Sequence, residues 1–408
     1  MRNRNLSLVF LTAAIVAVSV LGAATRSMAQ TEKVLYSFGN GTDGSQPEGD
    51  LVFDAAGNAY VTTYTGGAYG LGAVCKVMPK ANGHWTEQVL YSFGSNGTDA
   101  ANPRSGVIFD AAGRDLYGTT INGGAFGMGA VFQLAPATGG GWIEHVLFSF
   151  NGTDGQLGWD KLIFDSHGNL FSTSGIGGAY GQGVIYELSH PGGVWTETVL
   201  HDFGSGTDGA QPQGGLIFDH DGNLYGMTTY GGANGLGMVF ELSPASGGGW
   251  TEQVLHDFAG GADGANPFAG VVFGAGGNLL GVTYFGQTVF EMTKAGGSWT
   301  LETLHSFTDN ATQGSGPWPT VTLDTAGNIY GTAQFGGPHN GGTAFAMKPT
   351  GDGSWSYRLL HSFPNTPTDG MSPSFTRLFF SDASTLLGMT WQGGAYGGGA
   401  LFEIDIKR

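Results

Sequence analysis

The sequence predicts an all-β, seven-bladed β-propeller with four antiparallel strands per blade, on three observations. A segment of the form VLxxF or a near variant recurs at Val34 to Phe38, Val89 to Phe93, Val146 to Phe150, Val199 to Phe203, Val254 to Phe258, Thr303 to Phe307 and Leu359 to Phe363, seven copies spaced 49 to 57 residues apart. A second column keeps register with it: Tyr60, Tyr117, Phe171, Tyr225, Leu280, Tyr330 and Leu387 each lie six positions before a glycine, at Gly66, Gly123, Gly177, Gly231, Gly286, Gly336 and Gly393. A period near fifty with four short strands is that of a propeller blade, because solenoid coils repeat at shorter intervals. The third observation is at the ends. Thr31 to Phe38 (TEKVLYSF) matches the fourth strand of the unit, and Ala400 to Ile406 (ALFEIDI) matches the third. The last copy therefore lacks a strand that the first has to spare, so the N-terminal strand is expected to complete the last blade and close the ring, which otherwise exposes an unpaired edge.

One copy, Pro212 to Phe258, shows the elements in order. Its apolar runs Leu216 to Phe218, Leu224 to Thr229, Met238 to Leu242 and Trp250 to Phe258 are strand-sized and separated by glycine, asparagine and aspartate turn signals. The first strand is apolar on both faces in every copy, which suits the innermost position between neighbouring blades. The fourth alternates, as an outer strand permits, and starts with a tryptophan in six copies (Trp85, Trp142, Trp195, Trp250, Trp299, Trp355), read here as packing anchors. Cys75 aligns with Phe132, Ile185, Phe240, Phe290, Phe345 and Phe402 in the third strand and is a core position.

Residues 1–29 read as a signal peptide: Arg2 and Arg4, the apolar stretch Leu6 to Ala24, then Ser27-Met28-Ala29. Residues 30–408 form one propeller domain, expected in the periplasm or outside the cell as a monomer. No cysteine at the cleavage point, no second apolar run of membrane length and no apolar tail argue against an anchor or membrane insertion. The leader carries three of the 15 basic residues and none of the 32 acidic ones, so the net charge of −17 becomes −20 without it, which excludes nucleic acid and anionic membrane as natural partners.

Strand order sorts the loops onto two rims. The first-to-second and third-to-fourth hairpins share one, and the glycine-rich second-to-third loops (TGGAYGLG, NGGAFGMG, IGGAYGQG and their counterparts) share the other with the blade-to-blade crossings (NGTDGSQP, NGTDAANP and counterparts). Candidate ligand contacts lie on that second rim. Tyr69, Phe126, Tyr180 and Tyr396 occupy one loop column with Trp391, Tyr64 and Tyr284 nearby, and exposed rings stack on sugar faces or anchor a protein partner. Asp43, Asp99, Asp208 and Asp263 recur in the crossings, with Asp154 and Asp369, where a carboxylate either binds a hydroxyl or caps its own turn. Trp159-Asp160-Lys161 and Trp318 break the repeat locally.

No metal site is expected. The hairpin aspartates offer too few oxygens for calcium. His201, His256, His305 and His361 share one outer-strand column and diverge from one another with distance from the axis. No catalytic motif appears: there is no serine elbow, HExxH or phosphate loop, and no cofactor is implied.

The columns VLxSF, GTDGxxP, FDxxGNLYG, TxxGGAxGxGxVFEL and GGxWTE resemble the bacterial GloVer-type tandem-repeat family of extracellular proteins with a choice of anchor, over essentially all of Thr31 to Ile406. The resemblance implies an exported repeat protein and assigns no catalytic residue. The expected function is a non-catalytic binding module for extracellular glycan or a surface protein. The alternative is a propeller enzyme, a lyase or glycan-active hydrolase, with one site at the channel mouth.

Overall fold

In the fourth repeat the strands are Ile217–Phe218, Leu224–Gly231, Met238–Pro244 and Trp250–Asp257, each paired antiparallel with the next. The first hairpin is closed by its own aspartate: Asp219 Oδ1 accepts from Asp221 N at 2.9 Å and Asn223 N at 2.8 Å, with Gly222 at φ 85°. The same closure recurs at Asp54, Asp165 and Asp324, so these carboxylates are spent on their own turns. The computed structural model describes residues 32–407 except 82, 365, 367 and 368, and the leader expected at residues 1–29 lies outside the described residues. Within them the chain forms seven four-stranded blades of this kind, with helix confined to short turns such as Asn310–Gln313.

The N-terminal strand Glu32–Ser37 pairs antiparallel with Ala400–Asp405, Val34 facing Phe402, and so stands as the outer strand of the seventh blade. That blade packs on the first: Leu35, Phe38, Leu387, Met389 and Leu401 share one buried cluster with Leu51, Val61, Cys75 and Val77.

Six of the seven seams between blades are built from the same parts. There the phenylalanine ending the outer strand meets a ring in the third strand of the next blade, edge-on with centroids 5.0 Å apart at Phe93–Phe132, 5.5 Å at Phe258–Phe290 and 5.0 Å at Phe363–Phe402. In five blades that third-strand ring faces a glycine on the second strand, at Gly118–Phe132, Gly226–Phe240, Gly281–Phe290, Gly331–Phe345 and Gly388–Phe402, while in blade 3 the ring position is held by Tyr186 rather than the expected Ile185 and faces Ser172. The glycine is required by space, since a Cβ on Gly118 would lie 2.6 Å from Phe132 Cζ. Blade 1 exchanges both members, pairing Val61 with Cys75. The bulk removed from one strand is restored on the other, which explains a cysteine in a ring column. Cys75 is fully buried and burial pushes its thiol well above the ordinary value. The six outer-strand tryptophans each pack against a seam cluster, in line with the anchoring expected of them.

Two outcomes test this account. Cys75→Phe should lower stability by about 1–3 kcal/mol in urea unfolding, because Val61 fills the space the ring needs, and adding Val61→Gly should recover at least half of the loss. A double variant no more stable than the single one would show that the two positions do not compensate. A chain beginning at Gly39 should lose its single cooperative melting transition or self-associate, because Ala400–Asp405 is left as an open edge. A monomer melting at the unchanged midpoint would show the strand to be dispensable.

Candidate functional site

The crossings between blades converge on the axis, and their backbone is held in an uncommon conformation to do so. The residue before the crossing proline, or its equivalent, is left-handed in all seven: Gln46, Asn102, Leu157, Gln211, Asn266, Gly316 and Ser372, with φ between 51° and 67°. In six of them the N–H bonds back to the second-to-third loop of the preceding blade, as from Gln46 to Gly398 O at 2.7 Å, Asn102 to Leu71 O at 2.8 Å and Asn266 to Leu236 O at 2.8 Å. This tie aims the residue two places on toward the axis. That column reads Glu48, Arg104, Trp159, Gln213, Phe268 and Trp318 in the first six blades. In the seventh, a second left-handed residue, Phe375 at φ 66°, brings its own ring in.

All seven blades line the resulting cavity of about 200 Å³, to which Asp50, Asp160 and Lys161 also contribute. One side is an arc of aromatic rings. Trp318 stands 4.7 Å from Phe268, 4.8 Å from Tyr284 and 4.8 Å from Phe375, and Phe375 continues to Trp391 at 6.0 Å. Against it lies the Arg104 guanidinium, 5.0 Å from the Phe375 ring, 5.5 Å from Trp159 and 5.8 Å from Tyr64. Arg104 Nε donates to Glu48 Oε2 at 2.6 Å, and the Glu48 side chain is 2% exposed. Burial pushes this carboxyl above its ordinary value, and Arg104 pulls it back toward ionisation.

The other acids are equally committed. Asp50 is paired with Lys161 at 3.5 Å and Arg377 at 3.0 Å. Asp160 accepts from Thr173 Oγ1 and from Gly214 N, while burial raises its carboxyl to about 6.

Of the residues singled out in the sequence, Trp159, Asp160, Lys161 and Trp318 lie in this cavity, with Tyr284 and Trp391 in its arc. Tyr69, Phe126, Tyr180 and Tyr396 are 55–61% exposed at the loop tips of blades 1, 2, 3 and 7. Among the described residues no ring contact joins them to one another, so they form a rim around the mouth rather than one site. Glu48, Arg104, Phe268 and Phe375 escaped the sequence reading. The signal was present as a column that changes chemistry in almost every copy of an otherwise regular repeat.

The crossing aspartates lie away from the mouth, at the outer part of the seams. Asp43 accepts from Tyr36 OH at 2.6 Å and Asp99 from Tyr91 OH at 3.0 Å; Asp208 and Asp263 meet His201 Nε2 and His256 Nε2 at 3.1 and 2.9 Å. Several also cap their own turns, as from Ser95 N to Asp99 at 2.6 Å and from Ala259 N to Asp263 at 2.6 Å. His201, His256 and His361 each meet a carboxylate of their own seam. Considering them only against one another overlooked the carboxylates that the next blade brings to each.

The sequence profile of the Gloeobacter/Verrucomicrobia repeat matches residues 23–146 and 116–288. No curated protein sequence matches the chain. Among solved structures, it is similar to the extracellular domain of a candidate one-component system from B. thetaiotaomicron (14% identity, TM-score 0.54, covering 92% of this chain and 41% of that one). Puromycin hydrolase is similar at 13% identity and TM-score 0.54, covering 89% of this chain and 52% of the hydrolase. A candidate 6-phosphogluconolactonase from Bacteroides uniformis follows at 15% identity and TM-score 0.50, covering 77% and 84%. In the first two cases this chain spans about half or less of the other protein. At these identities the likeness is one of fold. The repeat columns and the profile matched across 23–288 agree, and the chain belongs to the Gloeobacter/Verrucomicrobia repeat family.

Proposed function

We propose that this protein is an exported, non-catalytic binding module that takes an extracellular glycan at the axial mouth of the propeller. The observation that carries the reading is the arc Tyr284–Phe268–Trp318–Phe375–Trp391 facing Arg104 across a cavity of about 200 Å³. Flat apolar faces beside a fixed cluster of donors suit a sugar ring, which presents C–H groups on its faces and hydroxyls at its edge. Arg104 is already oriented by Glu48 and by three rings, so little conformational entropy remains to be lost on binding.

The enzyme alternative draws on the same mouth, since its uniqueness within the repeat is what a catalytic site requires, and several structures of similar fold carry enzyme names. The binding reading is favoured because the mouth carboxylates Glu48, Asp50 and Asp160 are each engaged by a cation or by hydrogen-bond donors. A general acid or base needs a carboxyl free to exchange its proton with substrate.

Titration with oligosaccharides chosen from a glycan array tests the proposal. Trp318→Ala should weaken binding roughly two- to tenfold, the worth of one aromatic contact, with Phe375→Ala similar, and thermal melting controls for folding. The triple change of Tyr69, Tyr180 and Tyr396 to alanine should leave affinity within about twofold. Loss of binding in the triple variant alone would move the site to the outer rim. Absence of binding to any oligosaccharide, or turnover of one, would overturn the reading.

A further inference from the structure

Six of the seven seams carry one arrangement with different occupants. An outer-strand residue of one blade, the aspartate of the crossing that follows and a residue of the next blade's outer strand come together. Where the first member is tyrosine, its hydroxyl ties two carboxylates: Tyr36 reaches Asp43 and Glu87 at 2.6 and 3.3 Å, and Tyr91 reaches Asp99 and Glu144 at 3.0 and 3.4 Å. At two seams the first member is histidine and both acids remain. His201, Asp208 and Glu252 meet between blades 3 and 4, and His361, Asp369 and Glu32 between blades 6 and 7. In each set one ligand atom per residue lies within 4.8 Å of the others. We propose that these two sets are binding sites for a divalent transition cation of the zinc class, each clamping neighbouring blades.

Three features support the assignment. The first is spacing: His201 Nε2 stands 3.1 Å from Asp208 Oδ2 and 3.8 Å from Glu252 Oε1, and His361 Nε2 stands 3.6 Å from Glu32 Oε2. Four-coordinate zinc with bonds of about 2.0–2.1 Å places neighbouring ligand atoms roughly 3.3 Å apart, so modest movement suffices. The second is orientation. One oxygen of each aspartate is held by the next backbone N–H, Gly209 N to Asp208 Oδ1 and Gly370 N to Asp369 Oδ1, both at 2.7 Å, and in the first set this leaves Asp208 Oδ2 facing His201, as an outer-shell contact orients a ligand in metal centres.

The third is an unmet demand for a cation. The Glu32 side chain is 3% exposed and its Oε1 is buried without a hydrogen-bond partner, beside the Asp369 carboxylate. Glu252 Oε1 is likewise buried and without a hydrogen-bond partner. Two carboxylates and one neutral imidazole carry the charge that a divalent ion cancels, and an imidazole nitrogen selects transition metals over calcium or magnesium. Three protein ligands leave one position for water. The seam at His256 supplies an internal control: it retains Asp263, but Leu301 stands where Glu252 stands in the preceding blade.

The test uses the tag-free full chain after export, stripped with EDTA and titrated with zinc chloride while bound metal and melting temperature are followed. Two equivalents should bind and the midpoint should rise. His201→Gln and Glu252→Gln should each remove one equivalent, His361→Gln should remove the other, and His256→Gln should remove none. Should a His→Gln variant fail to fold, Glu252→Gln decides for its site, since it removes a ligand oxygen while keeping the side chain's size. The proposal is overturned if zinc neither binds nor shifts the midpoint, or if the stoichiometry is unchanged in His201→Gln, His361→Gln and Glu252→Gln.

Discussion

The structure depends on how one blade is fitted to the next: an aromatic ring at the end of an outer strand, set edge-on against a ring that a facing glycine leaves room for. This contact sets the spacing of the blades. With the one cysteine buried as a free thiol, packing has to supply the stability that a disulfide framework gives smaller secreted folds. At Val61–Cys75 the bulk moves from the third strand to the second, so the facing pair rather than either residue fills this space. It falls at the seam where the first blade meets the last, and where strands from opposite ends of the chain pair.

Once the blades are spaced, the crossings are carried to the axis at fixed height, and the left-handed residue in each holds the following side chain in place. The six non-glycine residues among the seven are costly singly, and each is secured by a hydrogen bond from its N–H to the preceding blade, while Gly316 adopts the conformation without strain. Six of the seven seams share the crossing proline while the position after it varies freely. A repeated scaffold in this way presents one unrepeated surface, and the mouth gathers an arginine, a buried glutamate and a run of rings that no single blade contains.

The seams serve a second purpose farther from the axis. Polar residues brought there are shielded by two blades at once, so burial pushes Glu32 up to about 10, Glu144 to about 9, and Glu87 and Glu252 to about 7. Tyrosine satisfies such acids with one hydroxyl, whereas histidine offers a lone pair. At seam 2–3 the tyrosine is replaced by Phe148, which can do neither, and Glu197 Oε1 is left without a partner. The chemistry of each seam is therefore decided by two outer-strand residues, one from each blade, as the Glu252 to Leu301 change between successive histidine seams shows.

The sequence by itself determined the blade, the count of seven and the complementary end strands, because these follow from local periodicity: apolar alternation, turn aspartates closing hairpins, and glycines at fixed intervals. It also marked Trp159 and Trp318 as departures and placed the loop tyrosines on an exposed rim. What the tertiary structure alone decided is which departures meet. Arg104 and Phe375 are separated by most of the chain, yet lie 5.0 Å apart because closing the ring brings every crossing to one axis. His201 and Glu252, or His361 and Glu32, belong to different repeats and show no common spacing in sequence. Reading down a column compares equivalent residues, which the ring keeps apart, whereas chemistry at a seam or at the axis is made between inequivalent ones, and only the packing of one blade on the next sets them side by side.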